Sequence, residues 1–424
     1  MKKYKIAVIG VGYVGLALSL GLASKGYEIN CYDNNYEKIR KLLSGESYIY
    51  EENFNEALVA NKNKLNFSSK LQQSDMYFIC VNTPSLKSGK CDISRIFNAV
   101  DVIMRIDKKS PIIIKSTCEV GTSRKIQKYV NKNNGKNPVI FSPEFLSQGT
   151  AYKNMLTPDR IIFGGNDVQT LNELKIIFSN FTNNVLIMNW ESAEIVKYTA
   201  NALLATKIAA INEIANLCEK TGAAIKDVSF AVGLDDRIGE KFLNAGCGFG
   251  GSCFEKDIKA LLYLSKKLKS NLKIFNSTLK ANSYQRLVVV QKLKANFDNL
   301  KGKSIAVLGL AFKENTNDAR ESVGLYVVNE LIKNLAEVRL YDPEAVNSFI
   351  NEYEIKFKYK LDKKMFFNNI KQTIKNVDAC IILTSWEQIK NLTDKDIDEA
   401  NPNMLIIDGR NCLKLTKNVI KIGG

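Results

Sequence analysis

The sequence predicts an α/β protein with two doubly wound sheet domains, joined by a central helical region that contains one long helix. Three observations favour this fold class. Short apolar runs alternate with helical patterns over the first 190 residues, a long helical pattern follows at 192–221, and a second alternation begins near residue 303. Such alternation is typical of parallel sheets covered by helices on both faces. We expect domains at residues 1–190, 191–298 and 299–424.

The first alternation opens with the pattern of a dinucleotide-binding, Rossmann-type βαβ unit. An apolar run at 5–9 leads into a glycine-rich turn, a helical pattern to about Lys25 and a second apolar run that ends at Asp33. An acid about 20 residues after the turn suits the ribose hydroxyls and repels a 2′-phosphate, which favours NAD over NADP. The turn supplies the first predicted cofactor contacts: Gly10, Val11, Gly12, Tyr13, Val14 and Gly15.

The same stretch has a rival interpretation. Ile6–Ala23 is uncharged and mostly apolar and follows three lysines, as in a signal peptide or membrane anchor. Glycines at fingerprint spacing, and the lack of a second long apolar segment, favour the nucleotide-binding interpretation. We therefore expect a cytoplasmic protein.

Polar clusters follow three further strand-like runs of this first half. They lie at 82–84, 116–117 and 142–144, after candidate strands at 75–81, 111–115 and 138–141; another candidate strand covers 160–164. Because ligands bind beyond the carboxyl ends of parallel strands, we expect the clusters to converge on one crevice.

The long helical pattern, Ser192–Thr221, places Lys197 and Asn201 one turn apart, with Gly222 as its stop. The pair is either an ordinary exposed one or a donor set for a developing oxyanion. The apolar stripe of the same helix predicts at least a homodimer.

The segment from Gly246 to Asp257 carries the strongest sign of chemistry. Four glycines in six positions, 246–251, favour close approach of a ligand to the backbone. A helical pattern follows, so Cys253 lies near a helix start that favours the thiolate, with Asp257 one turn on. This combination indicates covalent catalysis, whereas the alternative is a buried structural cysteine.

Composition excludes several classes of function. The chain has no histidine, which makes a metal site improbable and assigns proton transfer to Asp, Glu, Lys, Cys or water. Nine cysteines without a regular framework favour a reducing compartment. The net charge of +16 comes from dispersed lysines and not from a basic, aromatic-rich patch, so we expect no nucleic-acid partner.

The last third has another Rossmann-like pattern without the full glycine triplet. Strand-like runs lie at 303–308, 338–341, 379–383 and 405–408. This region could bind the second nucleotide of a pair of ligands.

Across its whole length the chain resembles the UDP-glucose/GDP-mannose dehydrogenase family, and within it the branch that acts on UDP-glucose. The matching motifs are GVGYVG at 10–15, FSPEFL at 141–146, EIVK at 194–197 with Asn201, DRIG at 236–239, GFGGSC at 248–253, FK at 312–313, RES at 320–322 and DGR at 408–410.

This resemblance implies a four-electron oxidation of the sugar C6 alcohol with two NAD⁺, through a thiohemiacetal and a thioester on Cys253. Lys197 and Asn201 would stabilise the oxyanions, Asp257 and a water would relay protons, and Thr117 and Glu144 would position or activate water. GDP-mannose, a UDP-N-acetylhexosamine or a simple two-electron oxidation are the alternatives, as is a catalytically silent nucleotide-sugar sensor.

The resemblance also implies two sets of binding residues. Besides the glycine turn, the NAD contacts would be Asp33, Lys38, Thr83, Thr117, Gln148, Lys256 and Arg320. The nucleotide-sugar contacts would be Glu144, Phe145, Leu146, Ser147, Gln148, Lys197, Asn201, Arg237, Phe242, Leu243, Asn244, Ala245, Gly246, Gly250, Lys313 and Arg410, with Arg237 reaching the substrate of a neighbouring subunit.

The chain departs from the family pattern at two places. Ser147-Gln148 replaces the usual Arg-Glu, which removes a carboxylate. Glu255 replaces a proline after the nucleophile, which should change loop stiffness more than chemistry.

Overall fold

The computed structural model describes residues 4–86 and 88–424, which divide into two compact units. The first comprises the chain up to Ala200 with Lys259–Lys269, and the second comprises Asn201–Ile258 with Ser270–Gly424. Each unit contains its own sheet, so the predicted fold class is confirmed. The proposed division into three domains stays a prediction.

The first unit is built on an eight-stranded sheet, as far as the described residues show, with the order β3-β2-β1-β4-β5-β6-β7-β8. Its first six strands follow the 3-2-1-4-5-6 order of dinucleotide-binding folds. The strands are β1 Lys5–Ile9, β2 Glu28–Tyr32, β3 Leu65–Ser68, β4 Met76–Ile79, β5 Ile112–Ile114, β6 Val139–Phe141, β7 Ile161–Gly164 and β8 Val185–Met188. The helices are α1 Tyr13–Ser24, α2 Tyr36–Leu43, α3 Phe54–Ala60, α4 Ser94–Ile106, α5 Thr122–Lys132, α6 Ala151–Leu156, α7 Val168–Phe178 and the first part of α8 Trp190–Thr221.

This sheet is buried on both faces, which explains its continuous apolar runs. In β1, Ile6 and Val8 enter one hydrophobic cluster, whereas Ala7 and Ile9 enter the cluster on the opposite face. Successive side chains of a strand point to opposite faces, so an unbroken apolar run marks a strand covered on both sides. The stretch weighed as a membrane or signal segment is this strand and helix α1. None of the described helices is both long and apolar enough to cross a membrane.

The second unit contains a parallel sheet with the order β10-β9-β11-β12-β13, five strands within residues 201–258 and 270–424. This 2-1-3-4-5 order is the other common doubly wound arrangement. Its strands are β9 Ser304–Leu308, β10 Glu337–Tyr341, β11 Ala379–Ile382, β12 Leu405–Asp408 and β13 Val419–Lys421. The remaining helices are α9 Ile225–Gly233, α10 Phe254–Lys267, α11 Lys273–Gln285, α12 Val288–Asn296, α13 Val323–Lys333, α14 Val346–Phe357, α15 Ile370–Ile374, α16 Glu387–Lys390 and α17 Asp394–Ala400.

Most sequence-predicted elements are present, with ends shifted by a few residues. The long helix begins at Trp190 and not at Ser192, and it ends before Gly222, which takes the left-handed conformation expected of a helix stop (φ +77°). The sheet of the first unit is not wholly parallel, because β7 pairs with β6 in antiparallel register.

Candidate active site

The glycine turn between β1 and α1 has the geometry of a dinucleotide cradle. Gly10 has φ +90°, and a Cβ there would lie 2.9 Å from the Cys80 carbonyl oxygen. A Cβ at Gly15 would lie 1.9 Å from the Gly10 oxygen, so this position requires a glycine for helix packing. At Gly12, by contrast, an added Cβ meets no described atom within 4 Å. This open side above a helix N-terminus fits a pyrophosphate group.

Asp33, at the end of β2, closes the cradle. Its carboxylate accepts hydrogen bonds from the backbone N–H of Val11 (3.1 Å) and of Asn35 (2.9 Å), and Lys38 Nζ lies 3.7 Å from Oδ2. An ionised carboxylate has about four acceptor positions, so capacity for ribose hydroxyls is left. The arrangement fits the NAD role predicted for Asp33 and Lys38.

Tyr48 belongs to the same site but was not predicted from the sequence. Its hydroxyl donates to the Val11 carbonyl at 2.5 Å, and Lys38 Nζ lies 5.4 Å from its ring centre. Burial raises the pKa of Tyr48, and the negative charge of Asp33 raises it further, so the phenol stays protonated. No local pattern marks this residue, because it lies in a loop far from the turn in sequence.

The polar clusters that follow β4, β5 and β6 do converge, as expected. Thr83 Oγ1 donates to the Thr117 carbonyl at 2.7 Å, and Ser116 Oγ donates to the Val81 carbonyl at 2.7 Å. Lys115 Nζ lies 3.4 Å from Ser142 Oγ. These contacts tie the ends of three neighbouring strands into one polar region.

Glu144 and Lys197 form a buried ion pair in this region. Their Oε1 and Nζ atoms are 2.8 Å apart, with 12% and 5% of the side chains exposed. The other carboxylate oxygen accepts from the Leu146 N–H at 2.9 Å. Burial alone would raise the pKa of Glu144, but Lys197, the Leu146 amide and Lys115 outweigh it and hold the pKa below its ordinary value. Lys197 is therefore not an ordinary exposed lysine.

Glu194, one turn before Lys197, positions the loop before α5. It is the first residue of the EIVK motif, but the sequence alone gave it no role. Its carboxylate accepts the Gly121 N–H at 2.5 Å, the Ser123 N–H at 2.8 Å and the Ser123 hydroxyl at 2.7 Å. It thereby caps α5 from another helix. The loop that it holds begins just after Thr117.

In the second unit, the glycines before Cys253 make room for close contacts with the protein's own groups. An added Cβ would lie 2.8 Å from Gly409 O at Gly246, 2.7 Å from Asn282 Oδ1 at Gly248, and 2.5 Å from Glu321 O at Gly250. The protein's own groups make these close approaches, and the expected approach of a ligand stays a prediction. Asn282 also bonds both the N–H and the carbonyl of Phe249 (2.8 and 3.0 Å). The loop is consequently held in one conformation.

Cys253 stands at the start of α10, as predicted. Its carbonyl accepts the first helical hydrogen bond, from Asp257 N–H at 2.9 Å. Cys253 is exposed. The thiol interacts electrostatically with the Arg320 guanidinium, which Asp318 holds through a 2.6 Å ion pair. A helix N-terminus and a nearby cation both favour a thiolate. The structural-cysteine alternative is not supported.

Asn201 and Asp257 are brought together within the second unit. Asn201 Nδ2 donates to Asp257 Oδ2 at 2.6 Å, and Lys256 Nζ lies 3.3 Å from Oδ1. Asp257 is only 1% exposed. A buried carboxylate beside an amide and an ammonium can orient the amide and accept a proton.

Glu255, the departure from the family pattern, forms an ion pair with Arg286 at 2.8 Å. Arg286 is buried, and its guanidinium also lies 3.3 Å from the Phe249 carbonyl of the glycine loop. The substitution thus adds an ion pair that holds residues 246–253, the cysteine loop.

The other predicted substrate residues of the second unit differ in their surroundings. Leu243 and Ala245 are buried, Phe242 has φ +68° and packs edge-on to Phe254, and Arg237 is exposed and paired with Asp235. Arg410 donates to the carbonyls of Leu383 (2.7 Å) and Gly248 (3.0 Å). Their roles toward a substrate stay predictions.

The acid at the end of β10 shows that the second sheet does not repeat the NAD site. Asp342 Oδ2 accepts from Leu310 N, Ala311 N and Trp386 Nε1, and Oδ1 accepts from Glu344 N and Ala345 N. Five donors saturate this buried carboxylate, so it has no capacity for ribose hydroxyls. Among residues 4–86 and 88–424, no cluster of three or more His, Cys, Asp or Glu side chains could hold a metal ion.

Comparison with known proteins assigns the chain to a family. Three domain models of the UDP-glucose/GDP-mannose dehydrogenase family match it: the NAD binding domain at residues 4–182, the central domain at 191–284 and the UDP binding domain at 306–415. NAD is therefore its cofactor.

Similar proteins match over nearly the full length. UDP-glucose 6-dehydrogenase YwqF of Bacillus subtilis is 37% identical, covering 97% of this chain and 94% of that protein. UDP-glucose 6-dehydrogenase of Rickettsia prowazekii is 38% identical, covering 96% and 95%. A solved UDP-glucose dehydrogenase from Pyrobaculum islandicum has a TM-score of 0.90 at 30% identity, covering 100% and 98%. The chain thus belongs to the UDP-glucose/GDP-mannose dehydrogenase family of NAD-dependent enzymes.

Proposed function

We propose that this enzyme oxidises UDP-glucose to UDP-glucuronate in two successive steps. The observation that carries the proposal is the placement of Cys253 at a helix start beside Arg320, on a loop of fixed conformation. The similar B. subtilis and R. prowazekii proteins are UDP-glucose 6-dehydrogenases, which supports this choice of sugar nucleotide.

In the first step the C6 alcohol becomes an aldehyde, and the hydroxyl proton passes toward Asp257 through a water. Bound NAD⁺ supplies the hydride acceptor, once for each of the two oxidations. Lys197 and Asn201 stabilise the negative charge that develops on the C6 oxygen.

In the second step the Cys253 thiolate attacks the aldehyde carbon and forms a thiohemiacetal. Loss of a hydride from that carbon leaves a thioester. Water, positioned by Thr117 and Glu144, then cleaves the carbon–sulfur bond and regenerates the thiolate. Overall, one alcohol, one water and two NAD⁺ give one carboxylate, two NADH and three protons.

The alternative substrates are GDP-mannose and UDP-N-acetylhexosamines. A solved UDP-D-ManNAc dehydrogenase from Pyrococcus horikoshii has a TM-score of 0.84 at 26% identity, so the fold alone does not separate these sugars. Incubating the purified protein with NAD⁺ and each nucleotide sugar, and following NADH absorbance, tests the assignment. We expect UDP-glucose to give the highest kcat/KM; a higher value for another sugar would refute it, and no NADH from any sugar would indicate a silent sensor.

We also propose that the enzyme works as a homodimer, or a larger homo-oligomer, in the cytoplasm. The second-unit part of α8 exposes Leu203, Ile214 and Leu217 along one stripe, with 55%, 41% and 55% of each residue accessible. Such a stripe favours a second copy of the chain. The nine cysteines are present as thiols, which suits a reducing compartment. Recovery of the native protein mainly in a membrane or exported fraction would contradict the location.

A further inference from the structure

Lys115 is a buried lysine that the mechanism above does not use. It follows β5 directly and is 7% exposed. Its ammonium lies 3.4 Å from Ser142 Oγ and 3.4 Å from the Pro143 carbonyl oxygen. These acceptors form the turn that ends in Glu144, so one side chain holds the turn that presents the carboxylate.

The titratable groups around Lys115 come from three different parts of the chain. Cys80 follows β4, Glu144 ends the turn, and Lys197 extends from α8. Burial lowers the pKa of Lys115 and Lys197 lowers it further, whereas Cys80 and Glu144 act in the opposite direction. Burial raises the pKa of the Cys80 thiol to about 12, so this thiol stays neutral. Glu144 is therefore the anion that balances the two lysines.

A buried ammonium is costly, because desolvation of a charge is repaid only by good partners. An apolar side chain would fill the same space with less penalty. The Lys115 charge lies near Glu144, and in the proposed mechanism this carboxylate must stay ionised to activate water. That requirement would explain why a costly buried charge is kept here.

We infer that Lys115 is a positioning residue for Glu144: it anchors the Ser142–Pro143 turn and, together with Lys197, keeps the carboxylate ionised and oriented. This inference rests on the role proposed above for Glu144. It goes beyond that role because it adds Lys115 to Lys197 as a cation that sets the charge and orientation of the Glu144 carboxylate.

The first test is the pH profile of Lys115→Met. Loss of a positive neighbour should raise the pKa of Glu144, so the acidic limb of kcat should move to higher pH. We expect kcat to fall on the order of 100-fold through misplacement of the carboxylate, with KM for UDP-glucose changed less than about twofold. Lys132→Met, at the exposed end of α5, is the matched control and should behave as wild type. An unmoved limb in Lys115→Met would overturn the inference.

The second test is a double-mutant cycle with Glu144→Gln. If Lys115 acts through Glu144, adding Lys115→Met to Glu144→Gln should cost less than about twofold more. A full additional loss would show an independent role and contradict the inference.

A third test needs no enzymatic activity. The carboxyl band of Glu144, isolated by infrared difference against Glu144→Gln, is titrated in wild type and in Lys115→Met. The band should titrate at higher pH in the variant; identical titrations would refute the inference. If the wild type oxidises no nucleotide sugar, the proposed function fails, yet this titration still decides the role of Lys115.

Should Lys115→Met fail to fold, Ser142→Ala retains the charge and removes one hydrogen bond from the turn. It should lower kcat by about fivefold and leave the acidic limb unmoved. Wild-type kcat in Ser142→Ala would contradict the anchoring role.

Discussion

At the residue scale, the ion pair between Glu144 and Lys197 explains how the Lys197 side chain can be buried. The carboxylate at 2.8 Å compensates the charge of the ammonium, which suits the role proposed for Lys197 in stabilising an oxyanion. Because the folded protein lowers the pKa of Glu144, the ionised carboxylate stabilises the folded state at pH values above its unfolded pKa. This stabilisation is lost as the pH falls through the lower folded value.

Cys253→Ser should separate the two oxidations. The hydroxyl is a far weaker nucleophile than a thiolate, so the aldehyde should not proceed to the acid at a useful rate, whereas the first hydride transfer remains chemically possible. We expect release of UDP-glucuronate, followed by chromatography, to fall at least about 10³-fold. Full turnover by this variant would refute the covalent route. Cys412→Ser, a partly buried thiol at another position, is the control.

Asp33→Ala should weaken NAD binding selectively. The change removes the acceptor for the ribose hydroxyls and the repulsion of a 2′-phosphate, so the preference for NAD over NADP should shrink by about tenfold or more. Calorimetry should show UDP-glucose affinity within about twofold of wild type. Equal loss of both ligands would count against the cofactor site, and Asp362→Ala provides an exposed control.

Local patterns predicted the residues that lie at element ends. Asp33 and Cys253 were predicted because a strand end and a helix start can be identified from neighbouring residues. Tyr48, Glu194 and Lys115 were not assigned roles, since their partners are distant in sequence and only folding joins them.

At the element scale, the cysteine loop is held by contacts from several directions. Asn282 of α11 bonds Phe249, Arg410 bonds Gly248, and Gln285 donates to the Gly246 carbonyl at 2.7 Å. In the proposed covalent route, a preorganised loop lowers the cost of aligning the Cys253 thiolate with the aldehyde.

Glu255→Gln should loosen this loop. The change removes the nearer carboxylate of buried Arg286 and leaves only Glu321 at 4.0 Å, which should lower the free energy of unfolding by about 1–3 kcal/mol. Thermal unfolding should report the loss, and hydrogen exchange should increase at 246–253. Glu354→Gln, on the exposed side of α14, is the control. Unchanged stability and exchange in Glu255→Gln would show that the ion pair does not brace the loop.

Element type was predictable where the periodicity was strong, as in α8 and the buried strands. The antiparallel register of β7 was not, because strand direction depends on how the connecting chain packs and not on the strand's own residues. The glycines at 246–251 indicated that a close approach is needed, but their sequence could not show that Gly409, Asn282 and Glu321 make such approaches.

At the scale of the whole molecule, the apolar stripe on α8 tests the proposed assembly. Ile214→Glu with Leu217→Glu would place charges in the proposed interface, so we expect the proposed dimer to dissociate, with its dissociation constant raised by at least about 100-fold. Sedimentation or light scattering measures the change. Ile355→Glu, an exposed residue of α14, is the control. A double variant with the wild-type oligomeric state would exclude this face as the interface.

The excess of 60 Lys and Arg over 44 Asp and Glu residues bears on the whole chain. The positive field of the protein favours association with a substrate that carries a diphosphate group. Membership in a nucleotide-sugar dehydrogenase family makes this a better account of the charge than a nucleic-acid partner.

The most direct measurement is the number of NADH molecules formed for each UDP-glucuronate by the purified protein under limiting UDP-glucose. Covalent capture by Cys253 predicts two, with no aldehyde detected by a carbonyl-trapping reagent. One NADH for each sugar consumed, with the aldehyde accumulating as product, would contradict the account.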